Sequence, residues 1–285
     1  MALKRKVNIS ARGKAALTAL LSDMTYELIP LSNVLPQSGF LPEGARVSVT
    51  ASPAKGMQAT VDLALELQQR GFDVIPHISA RLTQDRAELE SIMKQINDAA
   101  IKKAFVVGGD ADPPGDFFDG LAVLHAMEEI GHDLTIGIPS YPEGHNFISD
   151  DAINQALLDK QPYAASMTTQ MCFKPQTIAD WIGDQRARGV ELPVKIGIPG
   201  VAELRKLIGI SARIGVGDSL KFLTKNTSLV GKLVRPGGYS PDDLLIGLSS
   251  VFADDYSNVV DLHCYTFNQV ESTEEWRHKM LASLD

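Results

Sequence analysis

Two stretches carry the residues best suited to chemistry. Ile138-Pro-Ser-Tyr-Pro-Glu-Gly-His145 ends one apolar run, and Val107-Gly-Gly-Asp-Ala-Asp-Pro-Pro114 ends another, one unit earlier. Each breaks at Gly or Pro and then presents a carboxylate, a phenol or an imidazole. In a parallel α/β protein that is how a strand ends and an active-site loop begins. Further polar residues stand in or just after similar runs: Glu27, Thr50, His77, Gln170, Tyr265 and Asn268. Together they offer acids, hydrogen-bonding groups and flat rings, with no phosphate-type cluster of lysines.

Each residue has a plain reading beside the chemical one. Glu27, within Thr-Tyr-Glu-Leu-Ile-Pro, is either a solvent-facing position or a carboxyl that must be paired or kept neutral. His77 is either a satisfied core histidine or a ligand contact. Asp110, after Gly-Gly, could cap the next helix. Tyr141-Pro-Glu143 could be only a turn. Asp110, Glu143, His145 and His77 could also ligate a metal, although no tight spacing such as His-x-x-x-His is present.

If these residues act together, regular elements must bring them together. Strand-like runs recur at Tyr26–Leu31, Val47–Ala51, Val74–Ile78, Ala104–Val107, Thr135–Ile138, Ala164–Thr169, Val194–Ile198 and Val259–Cys264. Between most of them lie segments of helical period, among them Met57–Arg70, Arg86–Ala100, Phe117–Ile130 and Pro175–Arg188. Gly71, Gly131 and Gly189 each follow a last helical turn. Eight alternating units without a low-complexity linker predict a single (β/α)8 barrel over residues 1–285. An open doubly wound sheet is the alternative, but no glycine-rich phosphate loop follows the first strand. An N-terminal helix over residues 1–23 should precede the barrel. Extra helices, around Val201–Ile210 and Pro241–Ala253, should precede the last strand. In such a barrel the residues ending each strand share one rim.

Composition narrows the classes. The 285 residues are 44% hydrophobic and 22% charged, ordinary for a globular chain. A formal charge of −8 argues against nucleic acid as a partner. No apolar run reaches the roughly 18–20 residues that span a bilayer. The basic start (Lys4, Arg5, Lys6, Arg12, Lys14) with apolar Ala15–Leu21 resembles a targeting segment, yet reads better as an amphipathic helix kept on the protein. Cys172 and Cys264 form no metal-like pair, so a reducing, cytoplasmic setting is expected.

Taken in order, the loops resemble the methylenetetrahydrofolate reductase family, over roughly residues 24–270. The matching pieces are Tyr26-Glu27-Leu-Ile-Pro30, Val47-Ser-Val-Thr50, Pro76-His77, Gly109-Asp110 with Pro113-Pro114, Tyr141-Pro-Glu-Gly-His145, Thr169-Gln170, Gly197-Ile198-Pro199 and Tyr265-Thr-Phe-Asn268. The resemblance implies FAD across the barrel mouth, reduced by NADH or NADPH, and a hydride passed to 5,10-methylenetetrahydrofolate to give 5-methyltetrahydrofolate, or the reverse. By the same resemblance Glu27 is the general acid for N10 of the folate, a carboxyl kept protonated near neutral pH by an apolar setting. Asp110 would lie by flavin and folate and favour the N5 iminium. Gln170 would bond the pterin edge, and Tyr265 would also contact the substrate. Thr50, His77, Gly109, Asp110, Tyr141, His145 and Lys160 fall at positions that contact FAD. The setting is either methionine biosynthesis or the disposal of methyl groups from a growth substrate, and a homo-oligomer is allowed.

Departures from the family pattern are specific. Gly108 stands where an arginine commonly precedes Gly-Asp, and Gln269 where an arginine often follows the Tyr-Thr-Phe-Asn run. Met171-Cys172-Phe173 replaces an aromatic run, and Ala51–Lys55 a loop rich in glycine and serine. The alignment slips by one residue between His145 and Lys160. Two other functions remain in view: a metal-dependent, aldolase-like lyase using Asp110, Glu143 and His145, and a non-catalytic folate-binding subunit that partners a demethylase or methyltransferase.

Overall fold

A computed structural model describes residues 9–201 and 239–285. The strands are β1 (Thr25–Leu28), β2 (Arg46–Val49), β3 (Asp73–Ser79), β4 (Lys103–Val107), β5 (Thr135–Ser140), β6 (Ser166–Thr169), β7 (Val194–Pro199) and β8 (Val259–Tyr265). They pair in parallel, each with the next, and β8 closes onto β1 with Glu27 opposite Tyr265. The molecule is therefore an α/β protein of the (β/α)8 barrel class.

The helices are α1 (Ala11–Ser22), α2 (Val34–Ser38), α3 (Gly56–Gln69), α4 (Arg86–Asp98), α5 (Gly120–Ile130), α6 (Asp150–Lys160), α7 (Pro175–Ala187), α8 (Asp242–Gly247), α9 (Ser249–Phe252) and α10 (Val270–Leu284). α8 and α9 are extra helices before the last strand, within the predicted Pro241–Ala253. The predicted helix at 201–210 falls almost wholly outside the described residues. α1 is the expected N-terminal helix, begun by Ser10, whose hydroxyl accepts from the Gly13 amide. Its Leu17 and Leu21 are fully buried. Among the described residues no helix is long and apolar enough to cross a membrane. Cys172 and Cys264 are free and buried.

Alternation along the strands decides what lies inside the ring. Tyr26, Leu28, Val47, Val49, Val106, Ile138, Ile196, Leu262 and Cys264 point outward and form one apolar cluster with helical residues such as Leu67, Ile92 and Leu124. The residues between them point inward, and most are polar. At the N-terminal end, Asp261 accepts from Thr25 Oγ1 at 2.7 Å and Arg46 Nη2 at 3.1 Å, with Lys195 Nζ 3.4 Å away. The buried charge is thus paired from three strands. The chemistry sits in the layers above it.

Candidate active site

Glu27 lies between Tyr26 and Leu28, which face the helices, so its carboxylate enters the barrel. His263 Nε2 stands 3.0 Å from Glu27 Oε2. His77 Nε2 lies 3.7 Å from the same oxygen but only 2.7 Å from Ser48 Oγ. At these lengths His263 is hydrogen-bonded to the carboxylate, whereas His77 is committed to Ser48. Both imidazoles are buried. The Glu27 side chain keeps 12% exposure, enough to be reached from the mouth.

The environment differs from the apolar setting expected of this carboxyl. Burial pushes Glu27 up, but the hydrogen bond and charge of His263 outweigh it, with lesser help from His77 and Thr50. The carboxyl is held below its usual range. Burial pushes His77 down to about 4, against the pull of Glu27, so it is a neutral imidazole at pH 7. The proton an acid would deliver is therefore not simply stored on an isolated Glu27.

Aromatic rings pack around the two histidines. Phe105 lies 4.8 Å from His77 and 6.3 Å from His263 between centroids, and Tyr265 lies 5.0 Å from His263. β4 and β8 are on opposite sides of the ring of strands, so the Phe105–His263 contact crosses the interior. Two glycines make room for these rings. A Cβ at Gly137 would come within 2.8 Å of Phe105 Cδ2, and one at Gly197 within 2.8 Å of Tyr265 Cε2 and 2.1 Å of the Thr169 carbonyl. The Tyr265 hydroxyl donates to that same carbonyl at 3.0 Å, and burial keeps the phenol protonated.

The rim carries the other expected residues. Thr50 follows β2, and its hydroxyl donates to the Leu28 carbonyl at 3.0 Å. Gly109 and the exposed Asp110 follow β4. Gly109 has φ +79°, and a Cβ there would run into Ser79 Oγ at 2.1 Å, so both conformation and space require glycine. Tyr141 follows β5, half-buried, edge-on to His145 at 5.4 Å, which meets the exposed Phe147 at 5.9 Å. Gln170 follows β6, and its backbone N–H donates to the Ser140 carbonyl at 2.7 Å.

Two expected residues stand apart. Lys160 ends α6 instead of lying on a rim loop; burial lowers its pKa, opposed by Asp119, the cap of α5. Asn268 is buried and ties the loop after β1, bonding both the amide and the carbonyl of Ile29. His263, Ser48, Phe105 and Arg81 escaped the sequence reading. Arg81 braces the Asp110 loop: Nε donates to the Ala111 carbonyl at 2.9 Å, and the guanidinium lies 5.0 Å over the Phe118 ring. For His263 a signal was available, because Asp261, His263 and Tyr265 alternate with Leu262 and Cys264.

Among the described residues no group of three or more His, Cys, Asp or Glu side chains is placed to hold a metal ion. A groove of about 450 Å³ runs between α6 and α7, lined by Tyr141, Glu143, Asn154, Trp181, Gln185 and Arg188 among others, but not by Glu27 or either buried histidine.

Comparison with known proteins adds to this geometry. Residues 39–217, more than half the chain, match the family model described as methylenetetrahydrofolate reductase. Among solved structures, one similar fold is an uncharacterized protein from Clostridium thermocellum whose description says it binds two copies of 5-methyl-5,6,7,8-tetrahydrofolic acid. It is 10% identical, with a TM-score of 0.62 over 94% of this chain and 96% of that one. A putative phosphonomutase from Burkholderia cenocepacia J2315 aligns at 14% identity and a TM-score of 0.40, over 77% of this chain and 98% of its own. At 10% identity the first of these likenesses speaks to fold alone.

Proposed function

The chain belongs to the methylenetetrahydrofolate reductase family, and from that premise we propose that it is a flavin-dependent reductase of 5,10-methylenetetrahydrofolate, using NADH or NADPH and giving 5-methyltetrahydrofolate. The observation that carries this reading is Glu27, a carboxylate inside the barrel bonded to His263, whose ring in turn meets Phe105 and Tyr265.

The residues present suit FAD. Gly137 and Gly197 leave room beside the Phe105 and Tyr265 rings, aromatic surface of the kind a fused planar ring system packs against. Thr50, Gly109, Asp110, Tyr141 and His145 would hold the cofactor around the rim, above His77. The partly desolvated Lys160 would answer a phosphate charge. When bound, FAD supplies a hydride acceptor for the nicotinamide and a hydride donor for the folate.

The remaining work falls to the chain's own groups. Reduction needs the five-membered ring of the folate opened, which leaves positive charge at N5 once N10 accepts a proton. Glu27 delivers that proton to N10. The exposed Asp110 sets negative charge where the iminium forms, and it need not be desolvated to act. The Gln170 side chain presents a donor and an acceptor together, matching the pterin edge. Tyr265 contributes its ring face, because its hydroxyl is already spent on Thr169.

The absorption spectrum tests this reading. Purified protein reconstituted with FAD should show a flavin spectrum that bleaches under NADH or NADPH without oxygen and returns on adding methylenetetrahydrofolate. Protein that takes up no FAD, or bleaches without responding to folate, would overturn it.

A further inference from the structure

Glu27 is flanked by two imidazoles, and the structure treats them differently. His77, from β3, gives its Nε2 to Ser48 at 2.7 Å and stands 3.7 Å from the carboxylate. His263, from β8, meets Glu27 Oε2 at 3.0 Å and is held between the rings of Phe105 and Tyr265. The other groups facing the pair are few. Ser48 comes from β2, Thr50 from just after it and the Tyr265 phenol from β8, while Cys264 on β8 points into the outer core. Below lies the charged layer of Asp261, Arg46 and Lys195, whose ions bond one another. Thus, among the described residues, the Glu27 carboxylate has one hydrogen-bonded imidazole and only 12% side-chain exposure.

We propose that the acid of this site is the Glu27–His263 pair acting as one unit, with His263 as the positioning residue that keeps the proton on the Nε2···Oε2 hydrogen bond until Glu27 hands it on. The proposal rests on the reading of function above. The proton moves from His263 Nε2 to the Glu27 carboxylate and from there to N10. The bond between N10 and the bridging carbon breaks, and its electron pair goes to N10. The pair is left as a carboxylate and a neutral imidazole, one positive charge poorer, just as positive charge appears on the N5 iminium. A solvent proton then restores Nε2, and the reduced nicotinamide is the reductant that would supply the hydride. Storing the proton on the pair removes the need for a lone carboxyl to stay protonated, which its neighbours oppose.

The test uses the full chain with glutamate labelled by ¹³C at the side-chain carboxyl, assigned through Glu27→Gln, and needs no flavin. In His263→Gln the side-chain amide can still donate to Oε2 but stores no proton. The Glu27 carboxyl should then titrate at least about one pH unit higher than in the wild type. In the holoenzyme the same variant should lose folate turnover at least about tenfold in kcat, with KM within about twofold and a displaced pH profile. Reduction of the flavin by NADH should be unchanged. If the variant does not fold, the wild type supplies a second measurement: the ¹³C signal of Glu27 should also respond to the step in which His263 Nε2 loses its proton, and the ¹⁵N signal of His263 to the step in which Glu27 gains one. Signals that each report only their own residue's step in the wild type, or an unaltered Glu27 titration in the variant, overturn the pair whatever the protein turns over. Coupled titration in a wild type that turns over no folate leaves the pair standing and overturns the function, and with it the pair's role as acid.

Discussion

Acidification should expose the buried neutral state of His77. Its imidazole titrates near 4 in the folded protein against an ordinary 6.5, with burial the leading cause. Above the ordinary value neither state holds the proton, and the full stability is present. As pH falls from about 6.5 towards 4, the unfolded chain binds a proton that the folded chain refuses, so stability drops. Below about 4 both states are protonated and the loss levels off. At about 1.4 kcal/mol per pH unit the loss is roughly 3 kcal/mol. His77 is buried, so this figure needs no large discount for solvent screening. The assay is urea unfolding of the wild type and His77→Gln at intervals from pH 7 to pH 4. Carboxylates such as Glu27 add their own acid sensitivity to both proteins, so the difference between the two curves isolates the imidazole. The wild type should lose about 3 kcal/mol more than the variant over that window. Parallel curves would refute the reasoning, because they would mean that His77 titrates alike folded and unfolded.

Two further substitutions probe the barrel interior and the rim. Gly197→Ala drives a methyl group into the Thr169 carbonyl and the Tyr265 ring, and thermal unfolding should show a loss of about 1–3 kcal/mol with weaker folate binding. Gly108→Arg meets open space, since a Cβ there has no atom within 4 Å. Restoring the family's cation should tighten FAD about tenfold in a fluorescence titration, the worth of one charge-assisted bond; unchanged affinity would mean that position 108 does not face the cofactor.

The barrel was legible because its signal is local. Each strand is a short apolar run closed by Gly, Pro or a polar residue, and all eight runs overlap a strand of the closed ring. Helix α6 was harder to see, since it offers little apolar periodicity: Ile153, Leu157 and Leu158 are interrupted by Asn154, Gln155 and Ala156, and only Leu157 is buried. Its start depends on Ser149, whose hydroxyl accepts from the Ala152 amide. The rim residues could be named because strand ends converge in this fold. What surrounds Glu27 could not be. His263 lies 236 positions away in sequence, and only ring closure makes β8 a neighbour of β1. The family resemblance implied an apolar setting for Glu27, but Tyr26 and Leu28 point to the helices, and the carboxylate enters the barrel beside His263. The clearances at Gly137 and Gly197 likewise depend on rings from adjacent strands, which no spacing along the chain reveals.

The central claim is that Glu27 supplies the proton for the folate step alone. Anaerobic stopped-flow measurement of the two half-reactions in Glu27→Gln tests it most directly. The account predicts flavin reduction by the nicotinamide at the wild-type rate and reoxidation by methylenetetrahydrofolate slowed at least about a hundredfold. Equal loss of both half-reactions, or reoxidation at the wild-type rate, would contradict it.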